Sequence, residues 1–484
     1  MEQQLQMEQQ YDRAKWWQLL FFVFNNTASN FYLCLMGFVN LYAGNVAGLA
    51  VMFVSNVMMA ARFWDGITDP IIGFFVDKTN GRFGKFRPFM LLGNLIMLVT
   101  IVLMFTTTHL MPEGFRGIYW TLIYLVYIIG FTFQNSATRG GQTVLTNDPK
   151  QRPMFARIDS IINTVLITGI TVFITKFLVA KHGGWTAALF KEVIFTLAPI
   201  SLVFTILAII GIWQKDQPET YAKLGEQAQY GFKDIFRIIK GNRAIQMLVI
   251  ASSTDKLAGQ VCQNSVVGIM MYGIVMGNYA LLSDMSMITL IPSMLMVVVG
   301  TSIASRFSSK QATIIFTWGS IITTALLGII MILGDPTQIS LKHIGFMTIA
   351  YIGLYSLMYG MSSTSMGLAM PMIADCADYE LYQSGNYAPA LMGTVFGFFD
   401  KVVSSFSATI VGWFCVMIGF AERFPTQEDP LTPSLFWITM VLFFGLPILG
   451  WVASLIAMKF YPLDKEKMVE VQAKIADIKR EAAQ

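Results

Sequence analysis

Three charged residues, Arg62, Asp65 and Asp69, lie within an apolar stretch long enough to cross a membrane. A charge at bilayer depth costs roughly 2.5–3.5 kcal/mol on insertion scales, so such residues mark a functional site by default. Positions 62, 65 and 69 follow the spacing i, i+3, i+7, which places the three side chains on one face of a helix. Two carboxylates and one guanidinium leave this face with a net negative charge, which favours a bound cation.

The proline after Asp69 adds to the case for a cation site. The residue before a proline disfavours helical geometry, so the helix can loosen at Asp69–Pro70 and free backbone carbonyls for a small cation. The alternative is a structural ion pair, in which Arg62 neutralises Asp65 while Asp69 caps a neighbouring group.

A second polar region lies further along the chain, where Arg139 follows Asn135 inside an apolar segment. An arginine midway along such a segment is not expected to face lipid. Pairing of Arg139 with a carboxylate, and its contact with an anionic or hydroxyl-rich solute, are both open. Asp159 lies nearer the cytoplasmic end of the next segment, where a structural role is expected.

The second half of the chain carries two adjacent acid–base pairs at similar depth, Asp255-Lys256 and Asp400-Lys401. Adjacent side chains point apart on a helix, so the members of each pair are expected to have different partners. A lysine that faces a cavity can donate to sugar hydroxyls or compete with a cation for the carboxylates. The simpler alternative is a lysine that neutralises a buried acid.

The composition is that of an integral membrane protein. Of the 484 residues, 55% are hydrophobic and only 13% are charged, whereas soluble proteins average about 25% charged residues. The four cysteines show no metal or disulfide spacing, and the three histidines fall in predicted loops. Neither a metal centre, a cofactor nor a nucleic-acid partner is indicated, and no pattern of acid–base residues predicts an enzyme.

Spanning helices of about 20 mostly apolar residues must position these charges. The predicted segments are 17–43, 47–77, 89–109, 118–146, 153–180, 191–213, 241–272, 281–303, 311–333, 344–372, 387–418 and 434–461. The resulting domains are a first six-helix bundle (1–213), a cytoplasmic central loop with an amphipathic surface helix (214–240), a second six-helix bundle (241–461) and a cytoplasmic tail (462–484).

Lysine and arginine set the predicted orientation. They concentrate at the N-terminus, in alternate loops and in the tail, so both termini are expected in the cytoplasm of a protein of the cell membrane. The first apolar segment is predicted to be a retained helix and not a signal peptide. The loops that follow the second and eighth segments share a pattern, in which a glycine near the end of the helix is followed by spaced basic residues. This similarity favours two repeated halves around a central pathway.

The motif RxWDxxxDP, from Arg62 to Pro70, and the motif GKFRP at 84–88 resemble the glycoside–pentoside–hexuronide:cation symporters, the melibiose permease group of the major facilitator superfamily. The segment ADCADY at 374–379 and the loop NDPKQR at 147–152 are similar to the family, and the resemblance covers essentially the whole chain. It implies an all-α membrane protein with twelve transmembrane helices in two six-helix bundles, alternating access, and sugar or glycoside uptake coupled to Na⁺, Li⁺ or H⁺.

Site residues carry over from the resemblance position by position. Asp65 and Asp69 match the cation carboxylates of the family, and Thr132 matches a threonine that helps to hold the cation. Lys401 matches a lysine near both the cation and the sugar, and Arg62 is also retained.

The chain departs from the family at several sugar-binding positions. Asn135 and Asn30 (Ser29 in an alternative alignment) stand where melibiose permeases have aspartates, and Arg139 stands where they have a tryptophan. The stretch 386–389 lacks the family's Arg–x–Glu. Galactoside specificity is therefore not implied. An arginine facing the cavity would suit a hexuronide or another acidic glycoside.

The predicted function is cation-coupled symport of a sugar or glycoside (oligosaccharide, pentoside or hexuronide) into the cell. The expected partners are that solute, a monovalent cation and the lipid bilayer. The predicted substrate-binding residues are Asn30, Asn135, Arg139 and Lys401, and the predicted charge-pair or gating residues are Arg62, Asp255, Lys256 and Asp400. The alternative is an uncoupled sugar facilitator or a lysolipid-type carrier on the same fold.

Overall fold

A computed structural model describes residues 13–79, 81–146, 151–217, 240–384 and 389–482. The helices are α1 (Trp16–Met36, continued to Val46), α2 (Val51–Lys78), α3 (Arg87–Thr107), α4 (Glu113–Leu145), α5 (Gln151–Val172, continued to His182), α6 (Ala187–Ile212), α7 (Arg243–Cys262, followed by Ser265–Val275), α8 (Leu281–Ile288 and Leu290–Arg306), α9 (Ser309–Leu333), α10 (Phe346–Gly367 and Ala369–Ser384), α11 (Pro389–Met417), α12 (Pro433–Phe460) and α13 (Lys465–Ala482). Helices α1 to α12 correspond to the twelve predicted spans, but α10 continues to Ser384, twelve residues beyond the predicted end at 372. Helix α13 lies in the tail.

The distribution of apolar residues separates these helices into two groups. Among the described residues, nine helices are long and apolar enough to cross a membrane. Helices α2, α7 and α10 fall outside that group, and α2 and α7 are those that carry the charged clusters at positions 62–69 and 255–256. Their polar residues lower the hydropathy of these helices, and polar groups in a membrane protein are tolerated where they face other helices.

The described residues divide into two compact units. Unit 1 is drawn from Met1–Gln227 together with Ala421–Phe424, and unit 2 from Ala228–Phe420 and Pro425–Gln484. Helices α1 to α6 therefore belong to unit 1, and α7 to α13 belong to unit 2. The surface helix predicted in the central loop lies outside the described residues, as does most of the NDPKQR loop.

In unit 1, α4 is held tightly against its neighbours. A Cβ atom added to Gly93 of α3 would lie 2.7 Å from the backbone oxygen of Gly130, so the two helices pack at a distance that only small residues allow. Gln134 Nε2 donates to Asn25 Oδ1 of α1 at 3.1 Å and to Thr205 Oγ1 of α6 at 2.9 Å. These buried bonds fix the rotation of α4 about its axis.

The GKFRP motif forms a capped loop at the start of α3. Asp216, which follows α6 and is fully buried, accepts hydrogen bonds from the backbone N–H groups of Lys85 (2.8 Å), Phe86 (3.0 Å) and Arg87 (3.0 Å). The Arg87 side chain pairs with the same carboxylate at 3.3 Å. A carboxylate at a helix N-terminus satisfies the free N–H groups and complements the helix dipole.

Gly84 lets the capping carboxylate approach. Its φ is +84°, and a Cβ at this position would lie 2.4 Å from Asp216 Oδ2. A side chain would therefore strain the backbone and displace the cap. Together with Asp216, this geometry accounts physically for the glycine and the basic residue of the motif.

Replacing Gly84 by alanine is expected to destabilise unit 1. Left-handed backbone costs a non-glycine residue about 1–2 kcal/mol, and loss of the Asp216 cap adds to that. Thermal unfolding of the purified protein in detergent would measure the effect as a lower Tm. Gly81→Ala is the matched control, because nothing lies within 4 Å of its added Cβ; equal Tm values for the two variants would contradict the proposed strain.

Candidate functional site

The predicted cation-binding residues of unit 1 come together where α2 meets α4. Thr132 Oγ1 of α4 donates a hydrogen bond of 3.1 Å to Asp65 Oδ1 of α2. Both side chains are buried, with 4% of Asp65 and 1% of Thr132 exposed. Asp69 follows one turn later on the same face and is half-buried. Two carboxylates and a hydroxyl therefore converge on one side of α2, and oxygen ligands of this kind suit a hard cation.

Helix α2 differs from the prediction at Pro70. It runs without a break from Val51 to Lys78, so the expected loosening of the helix before the proline is wrong. A proline removes one backbone hydrogen bond, and packing of a membrane helix against its neighbours compensates for such a loss. The backbone is therefore not unwound at Asp69–Pro70, and the oxygen atoms that the structure gathers here are those of the Asp65, Asp69 and Thr132 side chains.

Arg62 lies one turn before Asp65 on the same face of α2. Both residues are within electrostatic range of the buried phenols of Tyr124 and Tyr127 on α4. The predicted gating arginine is thereby placed at the same α2–α4 contact as the carboxylates.

The predicted substrate residues of α4 extend the face that carries Thr132. Asn135 and Arg139 follow Thr132 by three and seven residues, so all three lie on one face of the helix over about 10 Å. Asn135 is half-buried and Arg139 is exposed. The hydroxyl that contacts Asp65 thus belongs to a polar stripe that ends in a guanidinium group.

Asn30 of α1 belongs to a different polar cluster, which links α1 to α5. Asn30 Nδ2 donates to Asn163 Oδ1 at 2.9 Å, and Asn163 Nδ2 donates to Asp159 Oδ1 at 2.8 Å. Asn26 Nδ2 donates to both Asp159 oxygens at 3.0 and 2.8 Å. The amide nitrogen of Asn30 therefore bonds to α5.

Sequence reasoning missed Asn26 and Asn163 in this cluster. The sequence does contain a signal for this cluster, namely two pairs of polar residues with the same spacing. Asn26 and Asn30 are four residues apart on α1, and Asp159 and Asn163 are four residues apart on α5. Two such pairs can form a ladder between neighbouring helices. Nothing in the sequence shows that α1 and α5 are those neighbours.

In unit 2, the two adjacent acid–base pairs are divided between different partners. Lys256 Nζ of α7 forms an ion pair with Asp400 Oδ2 of α11. Asp255, the neighbour of Lys256, instead accepts a hydrogen bond of 3.4 Å from Ser365 Oγ of α10. Lys401 is half-buried and, as the neighbour of Asp400, points to a different side of α11.

The sequence matches the MFS/sugar transport protein family over residues 18–465. The putative glycoside/cation symporter YagG of Escherichia coli (strain K12) is 21% identical over 91% of this chain and 90% of its own length. The isoprimeverose transporter of Lactiplantibacillus pentosus is 22% identical over 91% of this chain and 86% of its own. The putative 2,3-dihydroxypropane-1-sulfonate exporter of Escherichia coli (strain K12) is 23% identical over 90% of each chain.

Solved structures resemble the overall fold. A single-residue mutant of the nucleoside transporter NupG has a TM-score of 0.63 and 13% identity, and the match covers 91% of this chain and 99% of that one. The D-xylose–proton symporter has a TM-score of 0.59 and 13% identity, with 92% and 96% covered. At such identities the likeness shows the fold alone, which confirms the predicted twelve-helix architecture in two bundles.

A double-mutant cycle on Lys256 and Asp400 tests the ion pair of unit 2. Lys256→Met and Asp400→Asn are each expected to lower stability, because each leaves one charge unpaired at depth. The double variant should recover part of the loss, with a coupling energy of roughly 1–3 kcal/mol. Chemical unfolding in detergent measures the four species.

The exposed pair of Lys181 and Glu192 serves as the control for this cycle. Its side chains are 60% and 33% exposed, against 29% and 13% for Lys256 and Asp400. An exposed pair should couple by about 0–1 kcal/mol. Strictly additive effects at Lys256 and Asp400 would contradict their assignment as a stabilising pair.

Proposed function

Since the chain belongs to the MFS/sugar transport protein family, we propose that it is a cation-coupled symporter that carries a sugar or glycoside across the cell membrane by alternating access. The observation that carries this proposal is the contact of the Thr132 hydroxyl with Asp65, with Asp69 one turn away. Two carboxylates on one helix face concentrate negative charge at bilayer depth, where charge is costly. A transported monovalent cation can balance that charge.

The binding of the cation and of the solute must be coupled thermodynamically. A cation held by Asp65, Asp69 and Thr132 lowers the cost of closing a carboxylate-lined cavity over the solute. If each ligand binds better when the other is present, the coupling is reciprocal and both move together. YagG, a relative named as a glycoside/cation symporter, is consistent with this scheme. Na⁺, Li⁺ and H⁺ are all candidates, since carboxylate and hydroxyl oxygens can receive any of them.

The polar stripe of α4 supports a solute that is both hydroxylated and anionic. The Asn135 amide can hydrogen-bond to sugar hydroxyls. The planar guanidinium of Arg139 can donate two parallel N–H hydrogen bonds to a carboxylate or a sulfonate. One relative is named as an isoprimeverose transporter and another as a putative 2,3-dihydroxypropane-1-sulfonate exporter, names that refer to a hydroxylated and to an anionic solute. In unit 1 we assign solute contacts to Asn135 and Arg139 and to the amide oxygen of Asn30, and in unit 2 we assign a solute contact to Lys401.

The lysine and arginine distribution supports an orientation with both termini in the cytoplasm. In that orientation α2 and α4 both run toward the cytoplasm, and Asp69 lies at the level of Asn135 on α4. The cation and solute sites of unit 1 would then be about one helical turn apart. Arg62 lies on the outer side of the carboxylates, where it would balance their charge when the cation leaves.

Asp69→Asn should abolish stimulation of solute uptake by the coupling cation, while exchange of labelled for unlabelled solute across the membrane persists. The amide keeps the shape but removes one negative charge from the site. Uptake into proteoliposomes, with and without the cation, measures the change. Undiminished cation stimulation would contradict the assignment of Asp69.

Two substitutions of Thr132 provide a matched pair for the same assay. Thr132→Ser keeps the hydroxyl and should retain cation affinity, whereas Thr132→Val keeps the shape without the hydroxyl. Loss of one oxygen ligand is expected to weaken apparent cation affinity about tenfold. Equal effects from serine and valine would indicate a packing role.

Arg139→Ala should reduce uptake of an acidic glycoside, such as a hexuronide, by about 10- to 100-fold, because a charged hydrogen bond contributes about 1.5–3 kcal/mol. Uptake of a neutral glycoside should be spared. Arg139→Lys keeps the charge without the planar fork and should fall between the wild type and alanine. An equal loss of uptake for acidic and neutral glycosides would contradict the proposed contact between Arg139 and an acidic solute.

A further inference from the structure

Asp255 is a buried carboxyl in unit 2 that lacks a positively charged partner within the described part of the chain. Only 3% of the residue is exposed. Its neighbour Lys256 points to Asp400 instead. A buried, ionised carboxylate without an ion-pair partner costs several kcal/mol of free energy. A positive charge bound at Asp255 would remove this cost.

The groups that face Asp255 are hydroxyls from the helices packed against α7. Ser365 Oγ of α10 donates to Asp255 Oδ2 at 3.4 Å and also shares a hydrogen bond of 2.9 Å with Thr317 Oγ1 of α9. Ser454 Oγ of α12 faces the carboxyl without a well-aligned hydrogen bond. From α11, Asp400 is directed to Lys256. Among the described residues, Asp255 Oδ1 has no hydrogen-bond partner.

A small cavity lies beside Asp255. Its volume is about 10 Å³, close to the minimum that one water molecule needs. The polar residues in its wall are Ser252, Asp255, Thr313 and Ser365, and the rest of the wall is apolar. The cavity is too small for a hydrated metal cation, whereas a proton on the carboxyl needs no additional volume.

We propose that Asp255 is a proton-binding site of unit 2, separate from the site formed by Asp65, Asp69 and Thr132. In the present arrangement the side chain is a neutral carboxylic acid, and the hydroxyls of Ser252 and Thr313 line the cavity beside it. When helix movement lets water into the cavity, the acid O–H bond breaks, the proton passes to water and the carboxylate remains. The site does not depend on which solute or cation unit 1 binds.

Difference infrared spectroscopy of the full-length protein in lipid vesicles tests this assignment. At neutral pH the wild type should show the carbonyl stretch of a protonated carboxylic acid, which disappears at alkaline pH. Asp255→Asn should lack that band. Asp335→Asn is the control and should retain it, because hydrogen bonds from Thr337 lower the pKa of the Asp335 carboxyl in an exposed loop and keep it ionised.

A second variant covers the case in which Asp255→Asn does not fold. Ser365→Ala removes the donor to Asp255 Oδ2 and should shift the band without abolishing it. Absence of the band from the wild type, or a band that neither variant alters, would overturn the proposal. Loss of the band on addition of Na⁺ at constant pH would also overturn it, since the site would then take a metal cation. These outcomes are separate from the uptake assays on Asp69, which report on unit 1.

Discussion

The energetic cost of placing charge inside a bilayer is the constraint on which this structure depends. Charged groups at membrane depth must be paired, hydrogen-bonded, neutralised or supplied with a ligand. The protein uses these solutions in different places. Lys256 and Asp400 neutralise each other across α7 and α11, whereas Asp65 shares one face of α2 with Asp69 and receives a hydroxyl from Thr132. The first arrangement balances one charge with another, and the second gathers the oxygen atoms on which the proposed cation site rests.

Close packing of α4 within unit 1 holds the residues of the proposed site in place. The close approach of Gly93 and Gly130 and the buried bonds of Gln134 fix α4 in unit 1. With α4 fixed, Thr132 faces Asp65 and the stripe through Asn135 and Arg139 keeps its direction. Oxygen ligands that are held in place lose little conformational freedom when a cation binds. The Asp216 cap contributes in the same unit by fixing the start of α3.

The helices could be predicted from sequence because they follow from local composition, whereas partnerships between helices could not. Hydropathy located α1 to α12 to within about five residues at their ends, except that α10 continues to Ser384, beyond the predicted end at 372. Charge spacing identified Asp65 and Asp69 as neighbours. Thr132 entered only through a family resemblance, since nothing in its local sequence distinguishes it from other helical threonines. The partner of Lys256 is 144 residues away, and Asp216 sits in a polar stretch where a capping role leaves no periodic signal. The interpretation of Pro70 was wrong because local propensity was weighed without the packing that holds α2 together.

Accumulation of solute against its gradient tests the central claim most directly. Purified protein in proteoliposomes would be offered labelled neutral and acidic glycosides under an imposed inward Na⁺ gradient and, separately, an inward proton gradient. The account predicts accumulation above the equilibrium level with at least one of the two gradients, and it thereby identifies both the ion and the solute class. Equilibration of a glycoside without accumulation under either gradient would contradict cation-coupled symport and leave a facilitator.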